Sequence, residues 1–416
     1  MRISSLAFAG LAALAISLDT ASAATTTLYS FNGLSAGSNP YAGLVADKAG
    51  NLYGTTFSGG SSGNGLVFKL SPPTAGKTVW TETTLYQFEA GADGAYPLGG
   101  LTLDKSGNLY GTTENGGPLG HGTVYKLSSP AMGKTAWKET VLHRFTGSDG
   151  ANPKASMIFD STGNLYGTTS GDGSTTSGTV FELAPPAAGK TAWRASVLHR
   201  FAVSENAYPA AALALGMGGT LYGTTASGGT HGDGTVFALA PPAGRRTYWK
   251  QTVLYNFTGL SPDGSGVQGG VAFDKTGNLY GTTTGGGASG SGTVFELSPP
   301  PSGTTWKETV LHSFSVSDTG GAHPNAGVTV DPAGNLYGTA YDGGSPVLNS
   351  PGVVYKLSPP ATGNVWKETV LHRFTSKGTD GASPYASLLL DKTGALYGTT
   401  SGGGSFGCGT VFKVTP

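Results

Sequence analysis

The chain has a single cysteine, Cys408, in 416 residues, so no disulfide can form within it. Charged residues are also scarce at 12%, about half the usual share of roughly 25%. Lys plus Arg and Asp plus Glu are 24 each, so the formal net charge is zero. Because a partner such as DNA requires a basic surface, this balance argues against nucleic-acid binding.

Long apolar runs are absent after the first residues of the chain. Residues 6–18 form an apolar run that is too short to span a bilayer, which takes about 20 residues. Arg2 precedes this run, and Ala21-Ser22-Ala23 follows it as an A-x-A cleavage site. The pattern predicts a secretory signal over residues 1–23, a mature chain without a membrane span, and a periplasmic or extracellular location.

Glycine is abundant, with 70 residues, and it recurs within a repeated unit. The string Leu-Tyr-Gly-Thr-Thr, or a variant that differs at one residue, appears seven times, at steps of 57, 56, 56, 58, 57 and 60 residues. Its copies begin at Leu52, Leu109, Leu165, Leu221, Leu279, Leu336 and Leu396. In the second copy, residues 100–104, 108–113, 122–127 and 137–145 are rich in β-branched and aromatic residues and are bounded by Gly or Pro. Four such strands, A to D, in about 57 residues are typical of one propeller blade.

The two ends of the repeat array complement each other. Residues 27–31 match strand D, whereas residues 409–414 match strand C and no strand D follows them. If the first strand pairs with the last, the ring closes and leaves no open edge. We therefore predict an all-β, seven-bladed propeller of four-stranded antiparallel blades over residues 24–416. An open array or a string of small domains is the alternative.

The motifs G-N-L-Y-G-T-T, G-T-V-F-K-L and W-K-E-T-V-L-H-R-F resemble the bacterial GloVer tandem repeat. The similarity extends over essentially the whole mature chain. It implies an exported repeat protein with a propeller-like layout in which strand A is innermost and strand D outermost. It transfers no catalytic residue.

Several repeat positions have structural interpretations. We expect the six tryptophans, each five residues before the strand D Leu, to pack between blades rather than to stack sugars. Lys138-Glu139 and its equivalents are interpreted as charges that protect the outer edge. A turn glycine in every copy is expected to have positive φ, and the aspartate three residues earlier to bind turn amides rather than a metal. Histidines that alternate with tyrosine on strand D are interpreted as packing residues: His143, His199, His312 and His372.

Candidate binding residues lie in the D–A and B–C loops, which emerge on one face of a propeller. These loops vary most between copies, and the sixth B–C loop, residues 341–351, is the longest. Function commonly resides in loops that a rigid scaffold positions. The predicted binding residues are Tyr41, Tyr96, Tyr208, Asp318, His323, Tyr341, Asp342 and Tyr385.

These neutral, Gly-, Ser- and Tyr-rich loops favour a monomeric binding module for a glycan or a peptide, with no cofactor and no metal. A hydrolase or lyase with a site at the channel mouth is the first alternative. Such a site needs convergent acids, bases or a metal, and its candidates are Asp318, His323, Asp342, His121, His231 and Glu205. A structural extracellular protein without a small ligand is the second alternative.

Overall fold

The computed structural model describes residues 23–416, apart from residues 75, 131–133, 172–176, 206, 245–246, 303–304, 317–318 and 345–350. Residues 1–22 of the predicted signal lie outside the described residues. The chain is a seven-bladed β-propeller, as predicted, and its blades are small antiparallel sheets with strands in the order A-B-C-D. No helix among the described residues has the length and apolar character needed to cross a membrane.

The strands occupy corresponding positions in the seven blades, which we number from the copy at Leu52. The A strands are Val45–Ala46, Thr102–Leu103, Ile158–Phe159, Ala214–Leu215, Ala272–Phe273, Thr329–Val330 and Leu389–Leu390. The B strands are Leu52–Thr56, Leu109–Thr113, Leu165–Thr169, Leu221–Thr225, Leu279–Thr283, Leu336–Ala340 and Leu396–Gly403. The C strands are Leu66–Ser71, Thr123–Ser128, Thr179–Ala184, Thr235–Ala240, Thr293–Ser298, Val353–Ser358 and Thr410–Thr415. The D strands are Thr81–Gln87, Lys138–Arg144, Arg194–Arg200, Lys250–Asn256, Lys307–Ser313, Lys367–Arg373 and, for the seventh blade, Ala24–Ser30.

Short additional elements lie in the loops. Gly264–Ser265 pairs with Gly285–Gly286, and Gly381–Pro384 extends the seventh blade by pairing with its long B strand. Two 3₁₀ turns cover Val203–Glu205 and Met217–Gly219. The second of them occupies the A–B turn of the fourth blade, where Gly216 replaces the repeated aspartate.

The first strand of the propeller pairs with the last, which confirms the predicted ring closure. Ala24–Ser30 lies antiparallel to Thr410–Thr415, with Thr26 opposite Lys413. Beyond the strand, the amide of Phe31 donates to the carbonyl oxygen of Gly409 at 3.0 Å. The seventh blade is therefore assembled from both ends of the chain.

Strand A is shorter than the sequence predicts: in the second blade it covers Thr102–Leu103 rather than residues 100–104. The reason is the crowding of the seven inner strands around the axis. A Cβ atom on Gly99 would lie 2.7 Å from the carbonyl oxygen of Ala155 in the next blade. The chain therefore bends at its glycines and begins ladder pairing only further from the axis.

A threonine hydroxyl joins each blade to the next around this axis. The first threonine of Leu-Tyr-Gly-Thr-Thr donates to a carbonyl oxygen at the start of strand A in the following blade, at 2.8–3.3 Å. The seven bonds are Thr55 to Gly99, Thr112 to Ala155, Thr168 to Ala211, Thr224 to Gly269, Thr282 to Ala326, Thr339 to Ala386 and Thr399 to Ala42. Because these hydroxyls are buried, losing a partner would leave an unsatisfied polar group, which costs about 1–3 kcal/mol.

The glycine of the same motif lies under an aromatic ring of strand C. Gly398 pairs directly with Phe412, and a Cβ atom on Gly398 would overlap the Phe412 ring. The equivalent glycines of the other six blades face Phe or Tyr in the same way. Glycine is therefore required here for close packing between neighbouring strands.

The structure confirms four further predictions about repeat positions. Trp193 packs edge-on against Tyr110 of the preceding blade, with ring centroids 6.0 Å apart, and four other tryptophans make the equivalent contact. The seven turn glycines have φ between 78° and 93°. The six turn aspartates accept two backbone amides each, as Asp160 does from Thr162 and Asn164. The strand D histidines pack edge-on against phenylalanine, as His143 does on Phe145.

The strand D glutamates depart from their interpretation as edge charges. Lys138 is exposed, but Glu139 is half-buried and its Oε1 atom has no hydrogen-bond partner. Glu139 faces Tyr86 on strand D of the preceding blade and Asp93 in the loop that follows it. The Tyr86 hydroxyl donates to the Asp93 carboxylate at 3.0 Å. We call this contact between a strand D and the strand D of the next blade a seam. Burial raises the pKa of Glu139 to about 7, the charge of Asp93 adds to this, and Arg144 opposes it. Burial and Asp263 likewise raise the pKa of Glu308 to about 7.

Two seams in which histidine takes the place of Tyr86 contain fewer carboxyl groups than the Tyr86 seam. His143 binds Asp149 at 2.8 Å, and His372 binds Asp380 at 3.1 Å. The next blade then carries Ala195 or Thr25 at the position of Glu139. The tyrosine seam at Tyr86 thus holds two carboxyl groups, Asp93 and Glu139, and the pKa of Glu139 is raised, whereas these two histidine seams hold one carboxylate.

We expect Gly398→Ala to destabilise the protein by about 1–3 kcal/mol, because the added methyl group overpacks the seventh blade. Gly402→Ala in the same strand is the control, since its Cβ atom would lie 3.8 Å from the nearest neighbour and its φ is not positive. Urea unfolding of both variants measures the difference. Equal midpoints for the two variants would contradict this account of the glycine.

We expect stability to decrease as the pH rises from about 5 to 8, because Glu139 and Glu308 must lose protons that the folded state retains. The pKa values of both glutamates are higher in the folded state than the unfolded value of about 4.3. Their contribution to the free energy of unfolding is therefore greatest below about pH 4.3 and is lost as the pH passes 7. Glu139→Gln should gain about 1 kcal/mol at pH 8 and nothing at pH 5, after allowing for partial solvent screening. Melting temperatures across this range test it, with exposed Lys138→Gln as the control. A Glu139→Gln gain that is equal at both pH values would exclude the glutamate as the cause.

Candidate functional site

The D–A and B–C loops meet on one face, as predicted. Isolated β-bridges join the two loops of a blade, for example Ala95 to Asn115 and Ala322 to Asp342. The residue before the loop proline then binds the previous blade: the amide of Tyr96 donates to the carbonyl of Asn64, and that of His323 to the carbonyl of Ser291, both at 2.9 Å. These two residues have φ of 59° and 53°, so backbone geometry as well as hydrogen bonding fixes their position.

A cavity of about 480 Å³ lies on the axis at this face. The residues that lead into the seven A strands line it. Half of its 30 lining residues are Gly, Ala or Ser, because neighbouring strands approach closely: a Cβ atom on Gly327 would overlap the carbonyl of Gly270. The crowding that shortens strand A therefore also determines the width of this axial pocket.

One repeat position supplies most of the chemical variety of the axial pocket. It follows the loop proline, or Val267 in the fifth blade, and it precedes the small residue that accepts the threonine bond. The residue before it is fixed as the loop proline in six blades, and the residue after it must be small. The residue at this position itself lines the axial pocket in all seven blades. The seven residues at this rim position are Tyr41, Leu98, Lys154, Ala210, Gln268, Asn325 and Tyr385.

Five aromatic rings form a continuous crescent on one side of the mouth. Tyr385 lies between Tyr341 and Tyr41, 6.2 Å from the first and 5.4 Å from the second between ring centroids, with the rings edge-on. Tyr41 contacts Phe57 at 5.7 Å, and Phe57 stacks on Tyr96 at 5.0 Å. The crescent thus runs from the sixth blade through the seventh and first to the second.

The opposite wall is polar. The Lys154 ammonium donates to the hydroxyl of Tyr208 at 2.7 Å and pairs with Glu114 at 3.1 Å. The Tyr385 hydroxyl reaches across the mouth to Gln268 Oε1 at 3.4 Å. Asn325 lies at the rim between Gln268 and Tyr385 in the order of the blades. An apolar ring surface therefore faces hydrogen-bonding groups across the pocket.

The ionisation of these groups favours binding. Burial lowers the pKa of Lys154, but its hydrogen bond to Tyr208 and the charge of Glu114 outweigh this and raise it above the usual value. Burial raises the pKa of Tyr41 and of Tyr385, although the Lys154 charge opposes the rise at Tyr385. At neutral pH the wall therefore presents one cation and neutral tyrosines, which act as hydrogen-bond donors.

His323 and Asp342 form a separate pair on the rim. His323 Nδ1 lies 3.0 Å from Asp342 Oδ2, and the two side chains are 41% and 38% exposed. They are not among the described residues that line the axial pocket. Asp318 lies outside the described residues, and the described part of the chain contains no group of three His, Cys, Asp or Glu residues able to hold a metal ion.

The structure thus brings most of the predicted binding residues together. Tyr41, Tyr208 and Tyr385 line the axial pocket, whereas Tyr96 and Tyr341 belong to the crescent. Sequence reasoning missed Phe57, Lys154, Glu114 and Gln268. A comparison of the seven residues that follow the loop proline would have identified Lys154, because it is the one charged residue at that position.

A family model described as the Gloeobacter/Verrucomicrobia repeat matches residues 13–138, 129–345 and 300–416. No curated protein matches the sequence.

Solved structures with a similar arrangement have low sequence identity to the chain. A putative 6-phosphogluconolactonase from Bacteroides uniformis is 16% identical, with 80% of this chain and 85% of that chain covered and a TM-score of 0.49. The periplasmic gluconolactonase of Pseudomonas aeruginosa is 14% identical, with 80% and 85% covered and a TM-score of 0.47. The PQQ-bound aldose sugar dehydrogenase of Streptomyces coelicolor is 13% identical, with 77% and 93% covered and a TM-score of 0.45.

Proposed function

The chain belongs to the Gloeobacter/Verrucomicrobia repeat family, and we propose that its propeller binds a glycan at the mouth of the ring. The observation that carries the proposal is the aromatic crescent facing a polar wall across a cavity of about 480 Å³. Cavities of roughly 300–1,000 Å³ are the usual size for small-molecule sites.

Sugar rings match this division of the pocket. A pyranose has apolar C–H faces and hydroxyl groups around its edge, so one side can lie on Tyr385 and Tyr41 while the other bonds to Gln268 and Asn325. Tyrosine contributes large contact area and a polar hydroxyl at low entropic cost. A peptide in extended conformation would need an open groove or a sheet edge, whereas seven inner strands enclose this pocket.

The predicted signal at residues 1–23 supports a location outside the cytoplasm, where the protein would meet glycans. A fold with one cysteine and no disulfide is compatible with export, because closure of the ring and packing between blades stabilise it. We propose that the exported protein acts as a monomeric glycan receptor.

We expect Tyr385→Ala to weaken glycan binding at least tenfold, about 1.4 kcal/mol, because it removes a crescent ring that also lines the axial pocket. Isothermal titration calorimetry against a panel of neutral and acidic oligosaccharides measures the affinity. Tyr248→Ala is the matched control, since Tyr248 is 66% exposed and lies in a C–D connection away from the mouth.

Both variants should keep the wild-type melting temperature within a few degrees. No binding by wild-type protein to any saccharide in the panel would refute glycan recognition. Equal losses in Tyr385→Ala and Tyr248→Ala would move the site away from the mouth.

A hydrolase or lyase is the second candidate, and the His323–Asp342 pair is the observation that favours it. Asp342 holds Nδ1 of His323, which leaves Nε2 available as a general base. Turnover of a bound saccharide that is lost in His323→Ala and kept in His231→Ala would establish this activity. Binding without turnover would leave the receptor function alone.

A further inference from the structure

We propose that the ligand carries a carboxylate, as a uronic acid does, and that Lys154 selects it. This inference rests on the proposed glycan-binding function and deepens it. Lys154 is the one side chain with a full charge among the described residues that line the axial pocket. The pocket wall includes no Asp or Glu among those residues, so a carboxylate that enters meets no adjacent like charge on the lining.

The geometry leaves the ammonium group able to accept a further partner. A lysine ammonium has three N–H donors. Glu114 takes one at 3.1 Å and the Tyr208 hydroxyl takes a second at 2.7 Å, which leaves a third. The Tyr208 oxygen accepts a hydrogen bond from the ammonium group. The O–H group of Tyr208 therefore remains able to donate to a ligand beside Lys154.

Glu114 holds the ammonium group without filling the pocket. Both side chains are largely buried, at 20% exposure for Glu114 and 24% for Lys154, but only Lys154 is part of the described lining. The position of Lys154 is therefore determined before a ligand arrives, which reduces the entropy lost on binding. Glu114 also competes for the same charge, so it should weaken the attraction of the pocket for an anion.

Tyr385 of the crescent and Lys154 line the same cavity of about 480 Å³. The Tyr385 hydroxyl also lies 3.4 Å from Gln268 Oε1 on the polar wall to which Lys154 belongs. A uronic acid stacked on Tyr385 would therefore direct its carboxylate toward Lys154 and Tyr208. Gln268 and Asn325 would remain for its hydroxyl groups.

The test compares each acidic oligosaccharide with its methyl ester, which has no charge and one added methyl group on each carboxyl. Oligomers of galacturonate, glucuronate, mannuronate and guluronate are titrated into the full-length mature protein, beside neutral oligosaccharides. We expect the wild type to bind at least one acid about tenfold more tightly than its ester, as a charge-assisted hydrogen bond would give. Added salt should reduce this preference.

Two variants assign the preference to its residues. Lys154→Met should abolish the preference for acid over ester, so that the ratio of the two affinities falls to about one. Glu114→Gln should strengthen acid binding several-fold, because it removes the competing carboxylate while retaining an amide partner. The Glu114→Gln result stands even if Lys154→Met loses stability, and melting temperatures report that loss.

The possible failures are distinguishable. Equal binding of acids and esters by the wild type, or binding of neutral sugars alone, overturns the carboxylate inference and leaves glycan recognition in place. An acid preference that survives Lys154→Met, or weaker acid binding in Glu114→Gln, removes Lys154 as the selecting group. Failure of every saccharide overturns both proposals.

Discussion

The hydrogen bond from a threonine hydroxyl to the next blade is the interaction on which the rest of the structure depends. It joins strand B of one blade to the start of strand A in its neighbour, and the bond from Thr399 to Ala42 completes the circle. Because the acceptor residues surround the axis closely, each must be small. This crowding shortens strand A and limits the width of the axial pocket, where half of the lining residues are Gly, Ala or Ser.

The sixth blade shows how the repeat tolerates change near this bond. In five blades, as at Thr225 and Thr235, a second threonine of strand B pairs with one at the start of strand C. Ala340 and Val353 replace both members in the sixth blade and are fully buried. Replacing both hydrogen-bonding partners by apolar groups can be nearly neutral. The first blade replaces one partner by Leu66, and the Thr56 hydroxyl there donates to the carbonyl oxygen of Ser58 at 3.0 Å.

Features that every copy repeats could be predicted from the sequence, because a contact made in all seven blades requires the same residue types at seven equivalent positions. The strands, the closure between residues 27–31 and 409–414, and the turn glycines were all predictable in this way. The burial of Glu139 was not predictable. Its neighbours Asp93 and Tyr86 belong to another blade, and the sequence of one repeat does not specify how neighbouring blades align. Phe57 and Lys154 were missed because each differs from the repeat at a single position, and their partners Tyr96 and Glu114 lie in the neighbouring blade.

The seventh blade takes strand D from Ala24–Ser30 and strand C from Thr410–Thr415. Ala24–Ser30 therefore has to remain unpaired until Thr410–Thr415 has been synthesised. Six blades can form in order from neighbouring sequence, but the seventh sheet needs contacts that span almost the whole propeller, and such contacts are slow to form. A chain that lacks Thr410–Thr415 would keep an open ring, with Ala24–Ser30 exposed as an unpaired strand.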